Sequence, residues 1–387
     1  MKPFGNRCKT ASKWKRRRVT VNILAEEPNA TPPPEPLSPR DNSVLFGHEL
    51  AVNTLFEGWH SGKLHHAWLL SGPRGIGKAT LAYQFARFVL AGGPTEGGEG
   101  GPLSISPDHP VFRRVASGGH TDFLAIERSI NEKTGKRRSE IVVDDVRRIG
   151  RLVSLTPGEG LWRVVIVDGA EDMNRNAANA ILKYLEEPPS RTLILLVSHA
   201  PARLFPTVRS RCRSLTMRPL TDATVSDLIA SQIAPGLGPQ EREILTSISE
   251  GSPGRALALA EQGGVELYEK LIGILSDLPN LDIRAVHSLG DRVARKDGAE
   301  AFHTLSGLLV WWLNHLVCDG AKSTPRREVS EREDALRRRL LANGDLEHWA
   351  AVWEKLSRLF ARAEAVNLDP KHVILNAFTA LQQAAGD

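Results

Sequence analysis

The stretch GPRGIGKAT, Gly72 to Thr80, carries the residue types of a phosphate-binding loop. In such a loop backbone N–H groups cradle the phosphate oxygens, a lysine neutralises the β and γ charges, and the next residue's hydroxyl ligates Mg²⁺. Gly72, Gly75, Gly77 and Lys78 meet the first two needs, but Ala79 stands where the hydroxyl belongs. Thr80 follows at once, yet one helical step turns a side chain by about 100° away from its predecessor. The residues alone leave three readings open: a working ATPase, a loop that holds nucleotide without firing it, and a glycine-rich turn with no ligand.

A second acidic position points the same way. Asp168 ends the run VVIVD, where an aspartate contacts the nucleotide's metal through water. In hydrolysing proteins of this kind a glutamate follows immediately and polarises the attacking water, but here that place is Gly169. Glu171 lies two residues further on and needs a different backbone path to serve. Two parts of a hydrolysis machinery, the metal hydroxyl and the base, are therefore missing independently.

Farther along, SRC (Ser210 to Cys212) offers an arginine, whose fixed fork of donors matches phosphate and stays charged in any environment. Supplied from one subunit to another, such a group stabilises phosphoryl-transfer charge. Composition alone favours a blander reading, in which Arg209, Arg211 and Arg213 form a solvated basic stripe and Cys212 is a small buried apolar residue.

The elements needed to position these groups are legible as hydrophobic patterns. Regular structure is expected to start near Leu45, with Val52, Leu55 and Trp59 at helical spacing. HAWLLSG reads as a short buried strand entering the glycine loop, and Ala79 to Leu90 as the helix that leaves it. FLAIER, WRVVIVDGAED and TLILLVSHA read as further strands; the last two are continuous apolar runs, the form of strands covered on both faces. Between them lie a helix beginning near Val143, with Asp144 and Asp145 in its favourable first turn, and a helix NRNAANAILKYLEEPP stopped by Pro188 and Pro189. This alternation implies an α/β parallel sheet flanked by helices. Beyond about Pro219 strand signals vanish and helical patterns run to the C-terminus, with Trp311, Trp312, Leu313 and Leu316 as an expected core.

Composition bounds what else the chain does. The net charge is +5, but Met1 to Arg18 carries eight basic residues and no acid, leaving −3 for the rest. A near-neutral body argues against a nucleic-acid-binding module built on charge alone, with the basic start as its remaining candidate. That start lacks an apolar h-region and is no secretory signal; a disordered tail, an extension from an upstream start codon and an organellar transit peptide are the readings it allows. Residues 1–40, with NATPPPEPLSPRDNS, are expected to be disordered, and Gly92 to Pro102 to be a flexible glycine-rich insertion. Cys8, Cys212 and Cys318 are isolated thiols that build no disulfide framework, which suits a reducing cytoplasm. No apolar run reaches membrane-spanning length, and Leu305 to Val317 reads as a buried helix.

Taken in order, LFGHELAVNTLFEGWHSGKLHHAWLLSGPRGIGKATLA, IVVDDVRRI, NAANAILKYLEEPP and FPTVRSRC resemble the delta-prime family of the bacterial DNA polymerase III clamp loader, in its alphaproteobacterial form. The likeness is strong over residues 43–260 and returns in EAVNLDPKHVILNAF. LEEPP followed by SRC is its most specific signature. The resemblance implies an AAA+ P-loop α/β domain at 41–219, a helical lid at 220–265 and a helical collar at 266–387. It implies a heteropentameric ring with gamma or tau and delta subunits, acting on the sliding clamp (beta) and primer-template DNA in the cytoplasm as a component of the polymerase holoenzyme. Within that ring it makes this subunit a stator without its own ATPase and gives Arg211 the role of an arginine finger in trans, reversing the blander reading. The cofactor-binding positions are Gly72, Gly75, Gly77, Lys78, Ala79, Thr80 and Asp168, with ATP or ADP at the chain's own site left open. Two departures stand out. The region Ala91 to Gly119 has no cysteine where many members carry a four-cysteine module, so no zinc is expected. In GSPGR, Arg255 is displaced by one place from the nucleotide-sensing arginine of active members. An ATP-hydrolysing gamma/tau-like motor is the alternative, and the missing hydroxyl and glutamate count against it.

Overall fold

A computed structural model describes residues 38–94, 101–131, 135–154, 158, 162–295, 298–321, 331–343 and 345–386. The basic start, all but the last three residues of the expected tail, Cys8 and residues 95–100 of the glycine-rich insertion lie outside them.

Five parallel strands form the sheet, β1 (Ala67–Ser71), β2 (Phe123–Ile126), β3 (Arg163–Asp168), β4 (Thr192–Ser198) and β5 (Arg213–Thr216), in the order β2-β3-β4-β1-β5. Helices α1 (Glu49–His60), α2 (Lys78–Leu90), α3 (Pro110–Ala116), α4 (Val143–Ser154), α5 (Arg175–Glu186) and α6 (Pro206–Arg209) accompany it. Because side chains alternate along a strand, the sheet feeds two separate cores. Trp68, Leu70, Val164, Ile166, Leu193 and Leu195 pack with α1, α2 and α3 on one face. Ala67, Leu69, Val165, Val167, Ile194 and Leu196 pack with α4, α5 and α6 on the other. Burial on both faces explains the unbroken apolar runs of β3 and β4.

In the α/β half three elements were not anticipated, the four-residue α6 among them. Strand β5 lies at the sheet edge and is mostly exposed, so its residues Arg213, Ser214, Leu215 and Thr216 show no apolar run. Helix α3 buries Val111, Phe112 and Val115 within a region otherwise notable for glycine. The strand expected over Phe123 to Arg128 ends at Ile126.

From Asp222 the chain is helical: α7 (Asp222–Leu228), a π turn at Ile229–Ile233, α8 (Pro239–Ser249), α9 (Pro253–Glu261), α10 (Gly264–Ser276), α11 (Ile283–Val293), α12 (Ala299–Gly320), α13 (Glu331–Asn343), α14 (Leu346–Val366) and α15 (Pro370–Gly386). One hydrophobic cluster runs through them from Val225 to Leu381 and spans both sides of residue 265. Trp311, Trp312, Leu313 and Leu316 are buried in it, on α12, as the aromatic pattern predicts. Among the described residues no helix is long and apolar enough to cross a membrane.

Candidate functional site

The glycine loop connects β1 to α2 at the carboxyl edge of the sheet, as the strand, loop and helix pattern predicts. Gly72, Gly75 and Gly77 all have positive φ, and Gly77 caps α2 in the left-handed region. Lys78 is buried, and its ammonium donates to the Pro73 carbonyl within the same loop. Burial lowers its pKa from 10.5 to about 8, opposed by the charges of Glu171 and Asp168 and assisted by Arg74. Ala79 and Thr80 open α2, with Thr80 buried in the helix.

Helix α9 closes over this loop. Ser252, its N-cap, accepts from the Arg255 amide at 3.1 Å and donates its hydroxyl to the Arg74 carbonyl at 2.9 Å. The Gly254 amide donates to the Gly75 carbonyl at 2.9 Å. A Cβ at 254 would lie 2.9 Å from the Gly75 Cα, so only glycine permits this backbone approach. Arg255 does not point free: it pairs with Glu250 at 2.6 Å, and burial lowers its pKa despite that partner.

Asp168 ends β3 half-buried, and burial raises its carboxyl pKa, with Glu127 adding to the rise and Lys78 opposing it. The next residue, Gly169, sits at φ 75 and ψ 49. A glutamate there would adopt left-handed backbone, which costs an L-residue about 1–2 kcal/mol. Nor does Glu171 fill the gap. Its Oε1 accepts from the amides of His199 at 2.8 Å and Ala200 at 3.3 Å, just after β4. Burial pushes its pKa up, but its own amide and that of His199 outweigh burial and hold it low. Its Oε1 is thus held at the end of β4, while its Oε2 is buried without a hydrogen-bond partner among the described residues. His199 beside it is held below the usual imidazole range by burial and by Lys78. The glycines and Lys78 fit a nucleotide's phosphates, whereas the donor set for its magnesium is short by the side chain that Ala79 lacks. Among the described residues no group of three or more His, Cys, Asp or Glu is arranged to hold a metal ion.

Arg211 stands elsewhere. It precedes β5, whose Arg213 pairs in parallel register with Trp68 near the start of β1. It therefore lies at the amino edge of the sheet, while the glycine loop leaves the carboxyl edge. The five residues of β1 separate the two edges by roughly 16 Å at about 3.3 Å per residue. Its guanidinium donates from Nη1 to the Thr207 carbonyl at 2.9 Å and pairs through Nη2 with Glu186 at 2.7 Å. Arg209 and Arg213 are exposed, as a solvated stripe would have them, while Arg211 is half-buried. Arg213 lies 4.9 Å from the Trp68 ring centroid, and Arg209 reaches the Pro201 carbonyl at 3.5 Å. Cys212 is half-buried, with its thiol pushed up to about 12 by burial, and is chemically quiet.

Against known proteins, a family profile described as "DNA polymerase III, delta subunit" matches residues 47–221. The delta' subunit of DNA polymerase III from Pseudomonas aeruginosa is 34% identical over 272 residues, covering 70% of this chain and 75% of that one. The chain belongs to the DNA polymerase III delta-prime family of clamp-loader subunits. Gamma and tau subunits of DNA polymerase III are similar too, at lower identity. The gamma subunit of Buchnera aphidicola is 28% identical over 58% of each chain. The tau subunit of Escherichia coli is 27% identical, and the chain spans 39% of its length. Among solved structures, a gamma subunit-related protein of Thermotoga maritima covers 86% of this chain and 99% of its own, at 19% identity and a TM-score of 0.38.

The site thus separates into two. In this delta-prime chain Gly72, Gly75, Gly77, Lys78 and Asp168 come together, and Arg211 does not join them. Sequence reasoning missed Glu186, although it stands in the LEEPP signature, because its partner lies 25 positions away across a strand. It also missed Ser252 and Gly254 as contacts of the loop; their only sequence signal is the GSPGR segment itself.

Proposed function

We propose that this delta-prime subunit is a non-hydrolysing stator of the clamp-loader ring and supplies Arg211 to ATP held by a neighbouring gamma or tau subunit. The observation that carries the reading is the placement of Arg211 at the sheet edge opposite its own glycine loop, where a single side chain cannot reach back. An arginine so placed serves phosphate only on another chain. At its own loop, Ala79 offers no metal ligand and Gly169 no base, and the Glu171 Oε1 is held by the amides of His199 and Ala200. The retained Lys78 and glycines support a loop that keeps the shape of a phosphate cradle, with ATP or ADP as its ligand and no turnover.

In this reading the subunit joins gamma or tau and delta in a heteropentamer in the cytoplasm and meets the sliding clamp and primer-template DNA through the assembled ring. Residues 220–265 act as its lid and 266–387 as its collar. Arg211→Ala should leave ring assembly intact and slow the ATP turnover stimulated by clamp and DNA by an order of magnitude or more; arginine fingers of well-studied GTPases contribute about 10³ to 10⁵. A mutant ring turning over at the wild-type rate removes the finger role. The purified chain should show no ATPase, and any turnover abolished by Lys78→Ala overturns the stator reading.

A further inference from the structure

We infer that Glu186 is a positioning residue for Arg211, holding the guanidinium turned toward the anion that a neighbouring subunit presents. The inference rests on the finger reading above and adds the device that sets the finger's direction.

Glu186 is placed by its own helix. Pro188 and Pro189 stop α5, leaving Glu186 as its last residue and Glu187 as the C-cap, whose amide donates to the Lys183 carbonyl. His66, one residue before β1, bonds the Leu185 carbonyl at 2.9 Å and ties this helix end to the head of the strand. The carboxylate therefore sits at a fixed point on the amino edge of the sheet, level with the approach to β5.

A carboxylate at a helix C-terminus is ill placed, because the last carbonyls already carry partial negative charge. Arg211 offsets both. The pair is substantially exposed, with the Arg211 side chain 38% and the Glu186 side chain 49% accessible. Exposed pairs of this kind contribute little to folding stability. What the pair does supply is direction. Arginine has five N–H donors in a rigid plane on a flexible stem. Nη1 gives its two to the Thr207 carbonyl and the Ser210 hydroxyl, at 2.9 and 3.3 Å, and Nη2 forms an ion pair with Glu186 at 2.7 Å. Among the described residues the N–H of Nε makes no hydrogen bond and remains for an incoming phosphate. A guanidinium gripped on one side and open on the other is preorganised for a charge that arrives from outside, the condition under which such donors act most strongly. The LEEPP and SRC signatures thus meet as one device: the first carries the holder and the second the finger.

The test is made in the ring reconstituted with its gamma or tau and delta partners, clamp and primed DNA. Glu186→Ala is expected to lower kcat for stimulated ATP turnover on the order of tenfold, as misplacement of a positioned group does, while KM for ATP stays within about twofold. Glu186→Gln, which keeps an acceptor oxygen in place, should recover most of the rate. Added to Arg211→Ala, Glu186→Ala should cost nothing further, a non-additivity that a merely structural role would not produce. Wild-type turnover in Glu186→Ala beside a slow Arg211→Ala overturns this inference and leaves the finger standing. A double mutant slower than Arg211→Ala also overturns it. An Arg211→Ala ring at the wild-type rate removes both readings together. Should the alanine variant fail to enter the ring, Glu186→Asp, which withdraws the carboxylate by one methylene, must slow turnover, or the inference fails.

Discussion

Replacing Lys78 with methionine is expected to stabilise the chain at neutral pH. The lysine is 2% exposed, and burial lowers its pKa from 10.5 to about 8 even though Glu171 and Asp168 lie near. That gap corresponds to roughly 3 kcal/mol by which folding disfavours the charged form. Methionine keeps most of the length and removes the charge, but it also removes the donor to the Pro73 carbonyl, a loss of about 1–2 kcal/mol. The balance at pH 7 is a gain on the order of 1–2 kcal/mol. The pH dependence has a definite sign. Between pH 8 and 10.5 the unfolded chain holds the lysine proton and the folded chain has released it, so wild-type stability rises with pH across that window. Below pH 8 the penalty is present in full. The advantage of Lys78→Met should therefore shrink as pH rises from 8 and reverse before pH 10.5. Urea unfolding followed by tryptophan fluorescence at several pH values reads this directly. A mutant less stable than wild type at pH 7, or a difference that does not change with pH, refutes the reasoning. A lysine that this assay shows to destabilise the fold is one expected to be kept for a ligand rather than for packing.

Gly254→Val should drive a side chain into the Gly75 backbone and cost about 1–3 kcal/mol, with faster amide exchange over residues 250–256 than in wild type. In the helical half, Glu333 accepts from the Tyr268 hydroxyl at 2.7 Å and the Trp312 indole at 3.1 Å. Glu333→Ala leaves both donors buried without this partner and should cost about 2–4 kcal/mol in a denaturant titration, with Glu333→Gln costing less. Burial raises the Glu333 carboxyl pKa, so the folded chain binds that proton more tightly and stability falls as pH rises out of the ordinary carboxylate range; the glutamine variant should lose that slope. Gly169→Glu should not restore an ATPase. It adds left-handed strain of about 1–2 kcal/mol and leaves Ala79 unchanged, and measurable turnover in this variant would show that the base alone was missing.

Much of the α/β half was legible because its strands are buried. β3 and β4 must be apolar on both faces, and that requirement writes itself into consecutive residues such as Val164 to Val167. β5 escaped because an edge strand is under no such demand. Its Arg213, Ser214 and Thr216 face solvent, and what makes it a strand is pairing with β1, whose residues lie some 145 positions earlier. The loop was legible for a local reason too, since its glycines and lysine act within one turn of chain. The fate of Glu171 was not. Nothing between Asp168 and Met173 reveals that the carboxylate turns to the amides of His199 and Ala200, because those amides belong to the exit of another strand.

The residues by themselves determined which chemical groups this protein has: a glycine loop with its lysine, no hydroxyl at position 79, no glutamate at position 169, and an arginine in SRC. Those are covalent facts that no folding alters. Only the tertiary structure decided what the groups can reach. Parallel pairing of β5 with β1 sets Arg211 at the edge where strands begin, while the loop occupies the edge where they end. The end of α5 brings Glu186 to that arginine, and the approach of α9 brings Gly254 onto Gly75 across 179 positions of sequence. Such contacts depend on register and packing between distant segments, and local pattern carries no information about either.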